Sequence, residues 1–204
     1  MDDTIALAGL PMSLRWEALP TGWSPEPLRI EAGPGTDLFV DPAGDATYLN
    51  APRLLGTPPE GDFQLAATVS VDFAETFDAG VLLLWADEQH WAKLCFELSP
   101  QGEPMVVTVV TRGPSDDANA FLVDGDKVRL RISRIGTAFA FHASVPPASG
   151  SGAARWSFVR YFDLGASAVR IGFEAQSPTG KGSAATFEDI RFVPERLSDL
   201  RDGS

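Results

Sequence analysis

Residues 77–117 read FDAGVLLLWADEQHWAKLCFELSPQGEPMVVTVVTRGPSDD. Two runs rich in Val, Leu and aromatic residues flank the turn-like DEQ, and a third follows the break PQG. Short runs of this kind, bounded by Pro, Gly and Asp, are strands joined by tight connections. Side chains alternate between the two faces of a strand. In the middle run this puts Trp91, Lys93 and Glu97 on one face and Ala92, Leu94, Phe96 and Leu98 on the other. The second face belongs to a core. The first, aromatic and charged, suits a sheet whose outer side holds a ligand.

The same pattern runs along the rest of the chain. Strands are predicted at residues 28–32, 37–40, 63–72, 80–87, 91–98, 105–112, 128–134, 138–145, 156–162, 169–175 and 184–192, and helical periodicity is almost absent. Residues 98–105 and 135–137 suit hairpin connections, and PPASGSG at 146–152 suits a loop of small residues. Val128, Leu130 and Ile132 oppose Lys127, Arg129, Arg131 and Ser133. Phe139 and Phe141 oppose Ala140, His142 and Ser144; Val169, Ile171 and Phe173 oppose Arg170, Gly172, Glu174 and Gln176. One apolar and one polar face per strand is the mark of antiparallel sheets with one side in water. Many strands without helices make a two-sheet sandwich or a barrel. We expect one domain over residues 1–195 and a charged tail, 196–204, that frays.

Composition narrows the partners. The 204 residues carry a formal net charge of -12, which repels nucleic acid and anionic membrane alike. The apolar share of 44%, with 13 Phe and 5 Trp, is ample for a core. Cys95 is the one cysteine, so no intrachain disulfide can form, and a reducing compartment is expected. Met1-Asp2-Asp3 carries acid where a secretory signal carries base, and the longest apolar run, 80–86, is too short to span a bilayer. The expectation is a soluble cytoplasmic protein, and the acidic, Ala/Gly/Pro-rich composition suits a bacterium.

Several motifs together resemble a known family. They are Trp16, Thr36-Asp37-Leu38-Phe39, Asp62-Phe63, Phe77-Asp78-Ala79-Gly80, Trp91-Ala92-Lys93 with Glu97, and Val109-Val110-Thr111 with Ser115-Asp116. The chain resembles an uncharacterised, regulation-of-enolase-like family of the concanavalin A-like lectin/glucanase superfamily. It departs from that pattern in lacking Gln after Phe77-Asp78, in having Phe39 where Trp is common, and in having Glu17-Ala18-Leu19-Pro20 in place of Asn-Glu-Pro. The resemblance implies an all-β, concanavalin A-like jelly-roll sandwich of two curved antiparallel sheets, with ligands held on the concave sheet. The family's name also implies a protein partner, a metabolic enzyme.

Parity then gives the candidate residues: Trp91, Lys93, Glu97, Thr108, Arg129, Arg131, His142 and Glu174 could share a polar sheet face. A flat aromatic covers the C–H face of a pyranose, while carboxylates and guanidinium groups take its hydroxyls. Trp91, Glu97 and Arg131 would supply all three. We therefore expect a non-catalytic module for carbohydrate or a related polar ligand. A protein-interaction domain is the second expectation. A glycoside hydrolase is the third: it needs two carboxyls about 5–10 Å apart, for which Glu97 and Glu174 are the candidate pair. No cofactor is expected. His90, His142 and Cys95 do not make a typical zinc set, and Asp41, Asp45, Asp124 and Asp126 suit turns better than a calcium site. Ser115-Asp116-Asp117 is expected to open a turn, and Cys95 to be a small buried hydrophobe. An exposed Trp91 would cost ~1 kcal/mol or less on replacement by alanine.

Overall fold

A computed structural model describes residues 4–144 and 155–204, so the loop expected at 146–152 lies outside the described residues. Among these residues there are strands and no helix. In chain order they are β1 (Arg15–Ala18), β2 (Gly22–Pro25), β3 (Leu28–Ala32), β4 (Leu38–Val40), β5 (Thr47–Leu49), β6 (Arg53–Gly56), β7 (Phe63–Val71) and β8 (Ala79–Asp87). Then come β9 (His90–Leu98), β10 (Pro104–Arg112), β11 (Ser115–Leu122), β12 (Lys127–Ile135), β13 (Ala138–Ser144), β14 (Ser157–Asp163), β15 (Arg170–Gln176) and β16 (Ser183–Val193).

Two seven-stranded antiparallel sheets form a sandwich. The front sheet runs β1-β6-β15-β8-β9-β10-β11 and the back sheet β14-β13-β12-β7-β16-β3-β2. The fold is the all-β sandwich expected from the sequence. Ala92, Leu94 and Phe96 of β9 meet Leu65, Leu130, Phe141 and Phe187 of the back sheet in the main core. Gly80 marks a close approach between the sheets: a Cβ there would stand 2.7 Å from Val69 Cγ1 and 2.8 Å from Ala185 Cβ.

The third layer was not foreseen. β4 and β5 pair as a separate ribbon, and Leu38, Val40 and Leu49 from it pack on the outer face of the front sheet. Beneath the ribbon lies a second core of Val81, Leu83, Trp85, Trp91, Cys95 and Val107. β8 and β10 are therefore covered on both faces, which is why VLLLW and VVTVV are unbroken apolar runs rather than alternating ones. The ribbon is tied down at both ends. Val40 N donates to Ser115 Oγ at 2.9 Å, and Arg53 Nη1 donates to the carbonyls of Leu49 and Ala51 at 3.1 and 3.2 Å.

Two local expectations change. Ser115-Asp116-Asp117 does not open a turn; it begins β11, a largely exposed edge strand paired with β10, with a register shift between Val106 and Val107. Its polar sequence carries no core-facing alternation, so it left no periodic signal. The segment from Arg196, expected to fray, folds back over the back sheet. Leu197 is buried with Ile135 and Ala140, and Leu200 O and Gly203 O accept from His142 Nε2 and Arg131 Nη2 at 2.9 and 2.7 Å.

Candidate functional site

The ribbon covers only part of the outer face of the front sheet. Beside it a cavity of about 290 Å³ remains open. Its polar groups are Asp37, Lys93, Glu97, Asp117, Asn119 and Gln176, and its apolar walls include Phe39, Phe77, Pro100 and Met105. Strand register explains the gathering. Lys93 stands opposite Leu83 on β8 and Val109 on β10, and Val109 stands opposite Asp117 on β11. Glu97, four residues from Lys93 on the same face, stands opposite Ala79, whose other neighbour is Gln176. Asp37 and Phe39 arrive from the ribbon.

Phe77 is placed by a constrained loop. Its φ of 70° is one that a bulky residue seldom adopts. Phe77 N donates to Leu98 O at 2.8 Å, and Phe77 O accepts from Gln176 Nε2 at 3.0 Å. The buried Asp78 carboxylate accepts from the backbone N–H groups of Ala74 and Glu75 at 3.0 and 2.9 Å. These contacts offset the strain and hold the ring at the cavity. Backbone strain of this kind collects at sites where a side chain must be aimed.

Charge is concentrated around Lys93, which is 2% exposed. Its Nζ donates to Gln176 Oε1 at 2.8 Å and to Asp37 Oδ1 at 3.2 Å. Desolvation is the largest single influence and pulls its pKa down, but the surrounding acidic groups, Asp37 first and then Glu174, collectively outweigh it, so the ammonium holds its proton beyond the usual lysine range. The acids also shift upward, but for them burial is the cause rather than the opposing influence. Burial pushes the Glu97 carboxyl up to about 8, with Lys93 pulling back and Asp117 pushing further. Burial likewise pushes Glu174 up to about 7, and raises Asp117 at the rim. Burial also pushes the Cys95 thiol up, so this cysteine is the inert, enclosed residue expected.

A pH dependence follows. Glu97 and Glu174 bind protons more tightly in the folded chain than in the unfolded one. The stability they contribute is complete below the unfolded carboxyl range and is lost as pH rises through about 7 for Glu174 and about 8 for Glu97. Stability should therefore fall between about pH 5 and pH 8, by at most ~1.4 kcal/mol per pH unit for each group. The double variant Glu97→Gln/Glu174→Gln should flatten that slope in thermal melts. A wild-type melting temperature that climbs across this window would contradict the assignment.

The structure redistributes the residues selected from the sequence. Lys93 and Glu97 line the cavity. Trp91 lies on their face, as parity required, but it is fully enclosed: its ring stacks on Trp85 at 6.5 Å between centroids and 10° between planes, under the ribbon. It is not an exposed platform, and Phe39 and Phe77 are the rings that line the open space. Glu174 also lies on this face and is fully enclosed beside Arg53, with neither carboxyl oxygen hydrogen-bonded among the described residues. It does not line the cavity, and β8 separates its strand from that of Glu97, so the two do not face each other over a cleft. Thr108 stands opposite Leu94 and so points to the inner side, where its hydroxyl accepts from Arg160 Nη1 at 3.2 Å. Arg129, Arg131 and His142 belong to the back sheet and share its outer face, on the far side of the molecule.

Sequence reasoning missed Asp37, Phe39, Phe77, Asp117, Asn119 and Gln176 as site residues. Part of the signal was present. Asp37, Phe39 and Phe77 lie within the motifs that carried the family resemblance, and Gln176 has the parity of Glu174.

These motif residues converge on one cavity, and a family model covers the same stretch. It matches residues 16–195 and describes a "Protein of unknown function (DUF1349)". The chain belongs to this family. No curated protein matches it. Among solved structures it is similar to a functionally unknown protein from Saccharomyces cerevisiae, with a TM-score of 0.76 and 20% identity over 88% of this chain and 95% of that one. It is similar to a GH43 protein, BlXynB, from Bacillus licheniformis, with a TM-score of 0.64 and 15% identity, covering 86% of this chain but only 35% of the enzyme. It is also similar to the carbohydrate-binding module CBM66 from Bacillus subtilis, with a TM-score of 0.51 and 11% identity over 87% and 94% of the two chains. At these identities the likeness is one of fold. The DUF1349 description names no activity, and neither does that of the yeast protein.

Proposed function

We propose that this DUF1349 domain is a non-catalytic binding module for a carbohydrate or a closely related polyhydroxylated molecule, held in the cavity between the β4–β5 ribbon and β9–β11. The observation that carries this reading is the make-up of the cavity. Two aromatic rings, Phe39 and Phe77, share it with an ammonium, two amides and carboxyls on three separate elements. Rings take the apolar faces of a sugar, and the polar groups take its hydroxyls. No described residue donates a hydrogen bond to the Glu97 carboxyl, which leaves that acceptor for a ligand. Burial of the charged network holds these groups in place before a ligand arrives, which lowers the ordering cost of binding. A volume of about 290 Å³ lies at the small end of ligand pockets and suits a sugar-sized group. The similarity to a carbohydrate-binding module and to GH43 proteins supports the reading at the level of fold.

The test is a glycan array followed by calorimetric titration. The folded wild type should bind at least one glycan saturably. Asp117→Asn/Asn119→Ala, which changes two exposed rim residues, should weaken that binding by about tenfold or more, the effect of losing a hydrogen bond to a charged group. Silence across a broad panel, or binding untouched by the rim variant, would overturn the proposal.

A further inference from the structure

We infer that the outer face of the back sheet carries a second binding site, for a small, multiply charged oxyanion of the phosphate class. The site shares no residue with the front cavity and stands or falls independently of it.

Register builds the site. Ala66 on β7 stands between Arg131 on β12 and Arg191 on β16. Neighbouring strands are about 4.8 Å apart, so the two arginine backbones flank the small side chain with roughly 10 Å between them. Arg129 lies two residues from Arg131 on the same face, opposite Ser144 on β13. Between these groups is a cavity of about 440 Å³, floored by Ala66 and walled by Gln64, Ser144 and Trp156. The Arg131 guanidinium stacks on Trp156 at 4.1 Å from the ring centroid, and Arg129 lies 6.0 Å from the same ring.

Among the described residues no carboxylate is ion-paired with this positive charge, although Glu188 stands opposite Thr68 in the row of Arg129. Four arginines elsewhere are paired with acids: Arg29 with Asp72, Arg160 with Asp116, Arg170 with Glu17, Arg196 with Asp62. Among the described residues Arg129, Arg131 and Arg191 make no ion pair, although the chain carries a net charge of -12. Asp189, on the same face, accepts from Thr68 instead. Arg131 is 5% exposed and is held by neutral acceptors, Gln64 Oε1 at 3.2 Å and Gly203 O at 2.7 Å. Burial, and then Arg129, push its pKa down to about 10, as expected of a cation with no counter-ion. Ser144 Oγ is buried and unpartnered among the described residues. An enclosed cation without a partner is costly, and an arriving oxyanion removes that cost. Guanidinium groups suit phosphate because their planar forks donate in pairs. The acidity of the whole chain repels nucleic acid and anionic lipid surfaces, so a small soluble anion is the fitting ligand.

Inorganic pyrophosphate is a suitable probe. Titrated calorimetrically into the wild-type chain at low ionic strength, it should bind saturably at one site. Arg191→Gln, at an exposed position, should weaken binding by about tenfold. Ala66→Glu, which sets a carboxylate between Arg131 and Arg191, should abolish it while the melting transition persists. Asp117→Asn/Asn119→Ala should leave it unchanged. Absence of saturable heat at millimolar pyrophosphate, or undiminished binding by Arg191→Gln, would overturn the inference. So would binding to phosphatidic acid vesicles without binding of free pyrophosphate. Should Ala66→Glu fail to fold, the Arg191→Gln titration decides.

Discussion

Replacing Trp91 by alanine is expected to destabilise the chain by ~3–5 kcal/mol, the cost of emptying a large aromatic site in a packed core. The ring has no exposed surface, stacks on Trp85 and lies under Leu38 and Val40 of the ribbon. Phe96→Ala, in the core between the two sheets, should fall in the same ~3–5 kcal/mol range. Urea unfolding of both variants gives the comparison. A loss of only ~1 kcal/mol for Trp91→Ala, the effect of trimming a surface residue, would mean that the ring is open to solvent and the ribbon does not seat as described.

Lys93→Met should cost ~3–5 kcal/mol at neutral pH, although the two side chains are similar in length. The loss comes from what remains. Asp37 loses its ammonium partner at 3.2 Å, and the Glu174 and Glu97 carboxyls lose the cation that pulls their pKa values down. Those acids can escape by taking up protons, so the penalty should shrink near pH 5 and grow towards pH 8. Unfolding curves at the two pH values check this. An equal penalty at both would assign the loss to packing and remove the charge network from the account of the site.

The parity of β9 was legible because it alternates a charged and aromatic set with an aliphatic one, and the structure keeps that division. What sits above each face was not legible from β9 alone. Trp91 and Lys93 have the same parity, yet one is roofed by apolar ribbon residues and the other borders a cavity. A hint lay in the neighbours. VLLLW in β8 and VVTVV in β10 are apolar on both parities, which a sheet with one wet face does not permit. Thr108 illustrates the other limit: choosing its face needs the pairing Thr108–Leu94, and pairing is set by the hairpin rather than by the strand's own letters. Arg129, Arg131 and His142 were matched to Trp91 by polarity, but polarity cannot say which of two sheets a strand joins. β11 left no pattern because an edge strand such as SDDANAFL buries almost nothing.

The ribbon also fixes the direction of approach. A sheet face left bare from rim to rim can be threaded, so that a long polymer slides across it and is gripped anywhere along its length. Here β4 and β5 close the half of the face above Trp85 and Trp91, while Phe77 and Pro100 stand at the Glu97 end. What is left is bounded at those two ends and open along the edge strand β11. Under the proposed reading a guest enters over that edge tip first, so the free end of a glycan is admitted and an interior stretch lying along the strands is sterically shut out. Affinity should then scale with the number of chain ends in a sample and not with its mass.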